Sequence, residues 1–215
     1  MTEQTRRTLW LLLVTLLVPG LAAARQADTI TNDRIFDALA LREGMTVCEI
    51  GAGDGELSIA AAARVGSQGR VYSSELGEDR VQTLRKKASG HPNITVVAGD
   101  PVKTNFPDGA CDAVFLRNVY HHFADPPAIN ASIALSLKAG GRLAVVDFTP
   151  PPGQEATKPA DRGNDGMHGI TPPTLSQELR EAGFEAVASD VGARRWFMVV
   201  VSKPRSEPCP TQRCS

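Results

Sequence analysis

Three carboxylates and three glycines share one short stretch of this chain. Glu49 lies within the apolar run Val47-Cys48-Glu49-Ile50, and Asp54 and Glu56 stand among and after Gly51, Gly53 and Gly55, which follow it directly. Such a run reads as a short buried strand, and the periodic residues from Glu56 to Arg64 begin a helix. Glycines are needed where a backbone turns sharply and a ligand comes close enough that a Cβ would intrude. An ordinary Gly-rich turn would have the same composition, so charge must decide what the ligand is. A pyrophosphate seated on the helix N-terminus needs a third glycine where Glu56 stands, and three carboxylates would repel it. A cationic ligand would be attracted. A second chemical cluster, Tyr120-His121-His122, holds side chains that can touch an acceptor and exchange a proton near neutral pH.

The stretch Glu49 to Gly55 resembles motif I, acidic-x-Gly-x-Gly-x-Gly, of the class I S-adenosylmethionine-dependent methyltransferases, whose cofactor carries a sulfonium and an ammonium against one carboxylate. The resemblance implies that Gly51, Gly53 and Gly55 admit the cofactor and that Glu49 lies near its amino-acid end. Glu75 follows the glycine loop by about twenty residues, the spacing at which a carboxylate ending the second strand reaches the ribose hydroxyls; a surface Glu leading a helix is the other reading. The family places an acidic residue that meets adenine at the position of Asp100, which equally suits a turn before Pro101. Arg117 to Phe123 emerges from the carboxyl end of the fourth strand, where open α/β sheets bind ligands. Arg117 is therefore counted with the cofactor-binding residues. The segment looks like the family's run of histidines followed by an acidic residue and proline, here Asp125-Pro126, which makes Tyr120, His121 and His122 the catalytic candidates. Adjacent histidines on a strand end face opposite ways, so one of them is structural. Leu137 to Leu143 resembles the family turn L-x-P-G-G-x-L, with Ala139 in place of proline.

These residues must be positioned by alternating strands and helices. Expected helices span 31–40, 56–64, 78–89, 127–137 and 171–182; expected strands span 46–50, 70–74, 94–97, 111–116, 143–148, 185–191 and 196–202. The resemblance, covering about 30–203, implies a Rossmann-like, doubly wound α/β fold with a mostly parallel seven-stranded sheet and one antiparallel strand near the C-terminus. The loop over 149–170, rich in Pro, Gly and Asp, reads as a lid over the acceptor with Met167 and His168 near the mouth, or as a mobile surface excursion.

With 215 residues, 42% of them hydrophobic, the chain suits one well-buried domain. A formal net charge of -1 and scattered basic residues give no footprint for a nucleic acid, and favour a small-molecule acceptor. Arg6-Arg7, an apolar run over 9–18, Pro19-Gly20 and Ala22-Ala23-Ala24 have the layout of a secretory signal peptide cleaved after Ala24. An uncleaved membrane anchor or a start near Arg25 are the alternatives, and Arg6-Arg7 also loosely fits a twin-arginine signal. The expected division is a leader over 1–24, a methyltransferase domain over 25–203 and a polar tail over 204–215. Cys48 and Cys111 are expected to be buried free thiols, whereas Cys209 and Cys214 are either bridged in an oxidising compartment or idle. Neither pair has the CxxC spacing of a zinc site, and no metal site is read from the sequence.

The residues favour a methyltransferase that moves a methyl group from S-adenosylmethionine to a small molecule by in-line displacement, leaving S-adenosylhomocysteine. Two other classes stay open. One is a nicotinamide-dependent oxidoreductase, which Glu56 opposes; the other is an exported binding module without turnover, raised by a leader on a protein whose methyl donor is made in the cytoplasm.

Overall fold

The computed structural model describes residues 30–163, 168–192 and 195–205. The leader, Met167 and the pair Cys209 and Cys214 lie outside the described residues. Among those described, no helix is long and apolar enough to cross a membrane.

In chain order the elements are α1 (Asn32–Ala38), β1 (Thr46–Ile50), α2 (Glu56–Val65), β2 (Arg70–Glu75), α3 (Glu78–Ala88), β3 (Ile94–Ala98), β4 (Cys111–Arg117), α4 (Pro126–Ser136), β5 (Leu137–Phe148), α5 (Pro172–Glu181), β6 (Glu185–Val191) and β7 (Trp196–Ser202). The seven strands form one sheet in the order β3-β2-β1-β4-β5-β7-β6. The first five are parallel, and β7 runs antiparallel to both of its neighbours. Strand order reverses between β1 and β4, so the carboxyl ends of these two strands flank the crevice where a doubly wound sheet binds ligands.

Sequence dictates these elements through burial and caps. Parallel strands covered on both faces are apolar throughout, and β4 illustrates it: Val114 and Leu116 enter one core, Ala113 and Phe115 the other. Thr31, Asp125 and Thr171 accept hydrogen bonds from the backbone N–H groups of Arg34, Ala128 and Thr174 respectively, capping α1, α4 and α5; each such cap contributes roughly 1 kcal/mol. Pro172 takes the first helical position of α5, where its missing N–H costs nothing. The expected turn over 137–143 is instead absorbed into β5 as a register shift opposite Cys111–Ala113, with Gly140 at φ +76°.

One expectation is corrected. Cys48 and Cys111 are not free thiols but a disulfide joining β1 to β4, with Cα atoms 5.9 Å apart and both residues fully buried. Each cysteine looks like a small apolar residue in its own strand, and only the β1–β4 pairing brings them together. Closing a loop with a sequence separation of 63 stabilises the fold by roughly 4 kcal/mol on the chain-entropy account.

Candidate active site

At the end of β1 the chain enters the left-handed region three times, at Gly51 (φ +69°), Gly53 (φ +55°) and Gly55 (φ +82°). The three glycines do different work. A Cβ on Gly51 would lie 2.5 Å from Val119 Cγ2, and one on Gly55 2.8 Å from Leu84 Cδ1, whereas one on Gly53 would meet nothing within 4 Å among the described residues. Gly53 therefore keeps open space beside the loop. Gly55 is the N-cap of α2, and its side of the loop packs on Leu84 of α3.

Glu75 ends β2 with 7% of its surface exposed. One carboxylate oxygen accepts from the Gly53 N–H at 2.7 Å and the other from the Leu76 N–H at 2.8 Å. Each oxygen keeps a further acceptor site. Glu49 is buried and accepts from the Ser58 hydroxyl. Burial is the main reason its pKa is pushed up to about 8; Ser58 and the Arg117 guanidinium oppose that rise, while Asp54 and Glu75 add to it. Arg117 is held by the Asn32 Oδ1 at 3.1 Å.

These groups surround a cleft of about 610 Å3 at the carboxyl ends of β1, β2 and β4. Glu49, Gly51, Gly53, Glu75, Asp100 and Arg117 all line it, together with Asn118 and His122. Asp100 also accepts from the Val102 N–H at 2.9 Å, so it starts a turn while it faces the cleft. Asn118 was missed by sequence reasoning. Its φ of +62° suits Asn better than most residues, and an Asn after an apolar strand is the only local signal that could have found it.

The catalytic candidates separate. Residues 120–122 form a turn of 3-10 helix, which rotates successive side chains by about 120° instead of alternating them as a strand would. Tyr120 points into the core, where its hydroxyl accepts from Asn130 Nδ2 at 2.7 Å and burial raises its pKa. Fully buried, it stands behind the cleft wall and not on it. His121 is also fully buried and off the cleft wall; its Nδ1 pairs with Asp147 Oδ1 at 2.8 Å and its backbone N–H donates to Asp147 Oδ2 at 3.1 Å. His122 alone of the three lines the cleft. Burial, with His121 and His168 beside it, lowers its pKa, so the neutral ring that can accept a proton is the form present at pH 7.

The loop after β5 reaches the same corner. Arg162 is buried and makes two bonds to Glu178 of α5, at 3.1 and 2.5 Å. Gly169 N–H donates to the Arg162 carbonyl and Ile170 N–H to the Phe148 carbonyl. The described part of this loop is thus anchored, and it places the His168 ring 4.5 Å from that of His121 and 5.5 Å from that of His122.

Residues 48–145 match the family model described as methyltransferase domain. The 27-O-demethylrifamycin SV methyltransferase of Amycolatopsis mediterranei is 31% identical over 178 residues, 79% of this chain, and the nocamycin O-methyltransferase of Saccharothrix syringae is 31% identical over 121 residues, 55% of this chain. The chain spans 64% and 43% of the lengths of these two relatives. A SAM-dependent methyltransferase from Aquifex aeolicus shares the fold with a TM-score of 0.69 at 20% identity, covering 84% of this chain and 97% of that one. With the glycine corner and strand order above, residues 48–145 are similar to the methyltransferase domain, and the chain shares the fold of a SAM-dependent methyltransferase.

Proposed function

We propose that this chain transfers the methyl group of S-adenosylmethionine to a hydroxyl of a small molecule bound beside His122. One observation carries the reading: the cleft opposes Glu75, with acceptor sites left on both oxygens, to Glu49, across a loop kept open at Gly53. Glu75 would hold the ribose hydroxyls, Asp100 the adenine amino group, and Glu49 the cationic amino-acid end. The sulfonium sulfur–methyl bond breaks as the acceptor oxygen–methyl bond forms, S-adenosylhomocysteine leaves, and the hydroxyl proton passes to His122 or to water. Holding donor and acceptor in line supplies much of the acceleration. The names of two relatives, which specify methylation at oxygen, support the hydroxyl.

The leader-like layout of 1–24 and the buried Cys48–Cys111 bond, a linkage that persists in oxidising compartments, together support export. They also favour the second reading, an exported module that keeps the cleft without turnover. Incubating the protein with methyl-labelled cofactor and pooled hydroxylated small molecules tests both. Label in an acceptor is the expected result. Cofactor binding with no transfer to any pool would leave the binding module.

A further inference from the structure

Three of the chain's four histidines meet beside the cleft. His121, His122 and His168 each present a ring nitrogen, and these atoms lie within 4.8 Å of one another. The deepest of them is the most informative. His121 Nδ1 is taken by Asp147, whose carboxylate only accepts, so Nδ1 carries the hydrogen and Nε2 is left as a bare lone pair. That Nε2 is buried and, among the described residues, has no hydrogen-bond partner. An orphaned acceptor in the interior is left with its desolvation uncompensated, and a cation is the species that three converging lone pairs can share.

Charge and backbone point the same way. Asp147 is fully buried and accepts from the His121 ring, the His121 N–H and the Phe148 N–H; among the described residues no Lys or Arg pairs with it. A carboxylate that orients a histidine from behind is the usual outer partner of a metal-bound imidazole. The loop closes on the cluster at two glycines. A Cβ on Gly163 would sit 3.1 Å from His122 Nδ1, and one on Gly169, at φ +125°, 2.5 Å from the Phe148 carbonyl oxygen.

We propose that His121, His122 and His168 bind one divalent late first-row cation, Zn2+ by their donor set, with Asp147 as the positioning residue. Three imidazoles leave a fourth tetrahedral position open for water or an acceptor oxygen; with the cation bound, His122 is a ligand and the acceptor's proton passes to water. Zinc–nitrogen bonds of about 2.0–2.1 Å put tetrahedral ligand atoms about 3.3 Å apart, so the exposed His122 and His168 close in on the buried His121. The spacing hides this site from sequence reading, because His168 lies on a different segment from the adjacent pair.

The test uses the tag-free full chain with Zn2+ alone, followed by calorimetry and by elemental analysis after gel filtration, and with Co2+ for its visible absorption. One equivalent of Zn2+ should bind, and Co2+ should give the intense bands of a low-symmetry four- or five-coordinate site. His168→Ala and His122→Ala, both at exposed positions, should each weaken Zn2+ at least 30-fold, and Asp147→Asn by 10- to 100-fold. Less than a tenth of an equivalent bound, or undiminished binding in the His122→Ala/His168→Ala double variant, would overturn the site. No cofactor is present in this experiment, so its failure leaves the methyl-transfer reading standing.

Discussion

The glycine corner after β1 and the histidine corner after β4 face each other across one cleft, yet they are built in opposite ways. In the first, almost every working group comes from a single run, 49–58, plus Glu75 at the end of the neighbouring strand. In the second, His122, His121, Asp147 and His168 come from three segments, and their meeting depends on the register of β4 with β5 and on the anchoring of the loop by Arg162 and Glu178. A corner written in contiguous residues survives local change poorly and long-range change well; a corner assembled from afar does the reverse.

Cutting the tie between them gives the largest expected effect. The Cys48–Cys111 bond fastens β1, which carries the first corner, to β4, which carries the second. Replacing both cysteines by alanine should lower stability by roughly 4 kcal/mol, read by urea unfolding. An unchanged midpoint would show that the strands hold without it. Next comes Gly51→Ala, where a positive φ and a 2.5 Å approach to Val119 combine; about 3 kcal/mol should be lost. Gly53→Ala should cost only about 1 kcal/mol of stability but weaken the cofactor, because its Cβ enters the cleft.

Glu49 sharpens the contrast through pH. Its pKa is raised by burial from 4.5 to about 8, so the folded form holds a proton that the unfolded form releases. That contribution to stability is fully present below pH 4.5, declines as pH rises, and is gone above about 8. A cationic ligand favours the ionised carboxylate, so cofactor affinity should climb as pH rises toward 8 and then level. Glu49→Gln should flatten both trends and weaken cofactor binding by about 2 kcal/mol; slopes that persist in the variant would place the titration elsewhere. The smallest effect is expected at Tyr120→Phe, about 1 kcal/mol of stability from the lost Asn130 bond, with kcat unchanged. A large fall in kcat would return Tyr120 to the site.

Much of the fold was legible because its signals are local. The strand 46–50 and the caps at Thr31 and Thr171 could be read from an apolar run and cap residues, and the final antiparallel pair from the short connection at Gly192-Ala193 and the resemblance; the structure has all of them. What could not be read depends on partners distant in sequence. Cys48 and Cys111 show burial but not pairing; Gly55 shows the need for a positive φ but not that Leu84 fills the space beside it. The inward direction of Tyr120 was not legible for a different reason, since a turn of 3-10 helix follows the strand and no local signal announces it.

The central claim is that the cleft holds S-adenosylmethionine through Glu75. Calorimetric titration of the protein with S-adenosylmethionine, S-adenosylhomocysteine and NAD, repeated on Glu75→Ala, tests it most directly. Micromolar binding of both adenosyl compounds and none of NAD, weakened by roughly 1.5 to 3 kcal/mol in the variant, is the predicted result. Equal affinity in the variant, or no binding of either adenosyl compound, would contradict it.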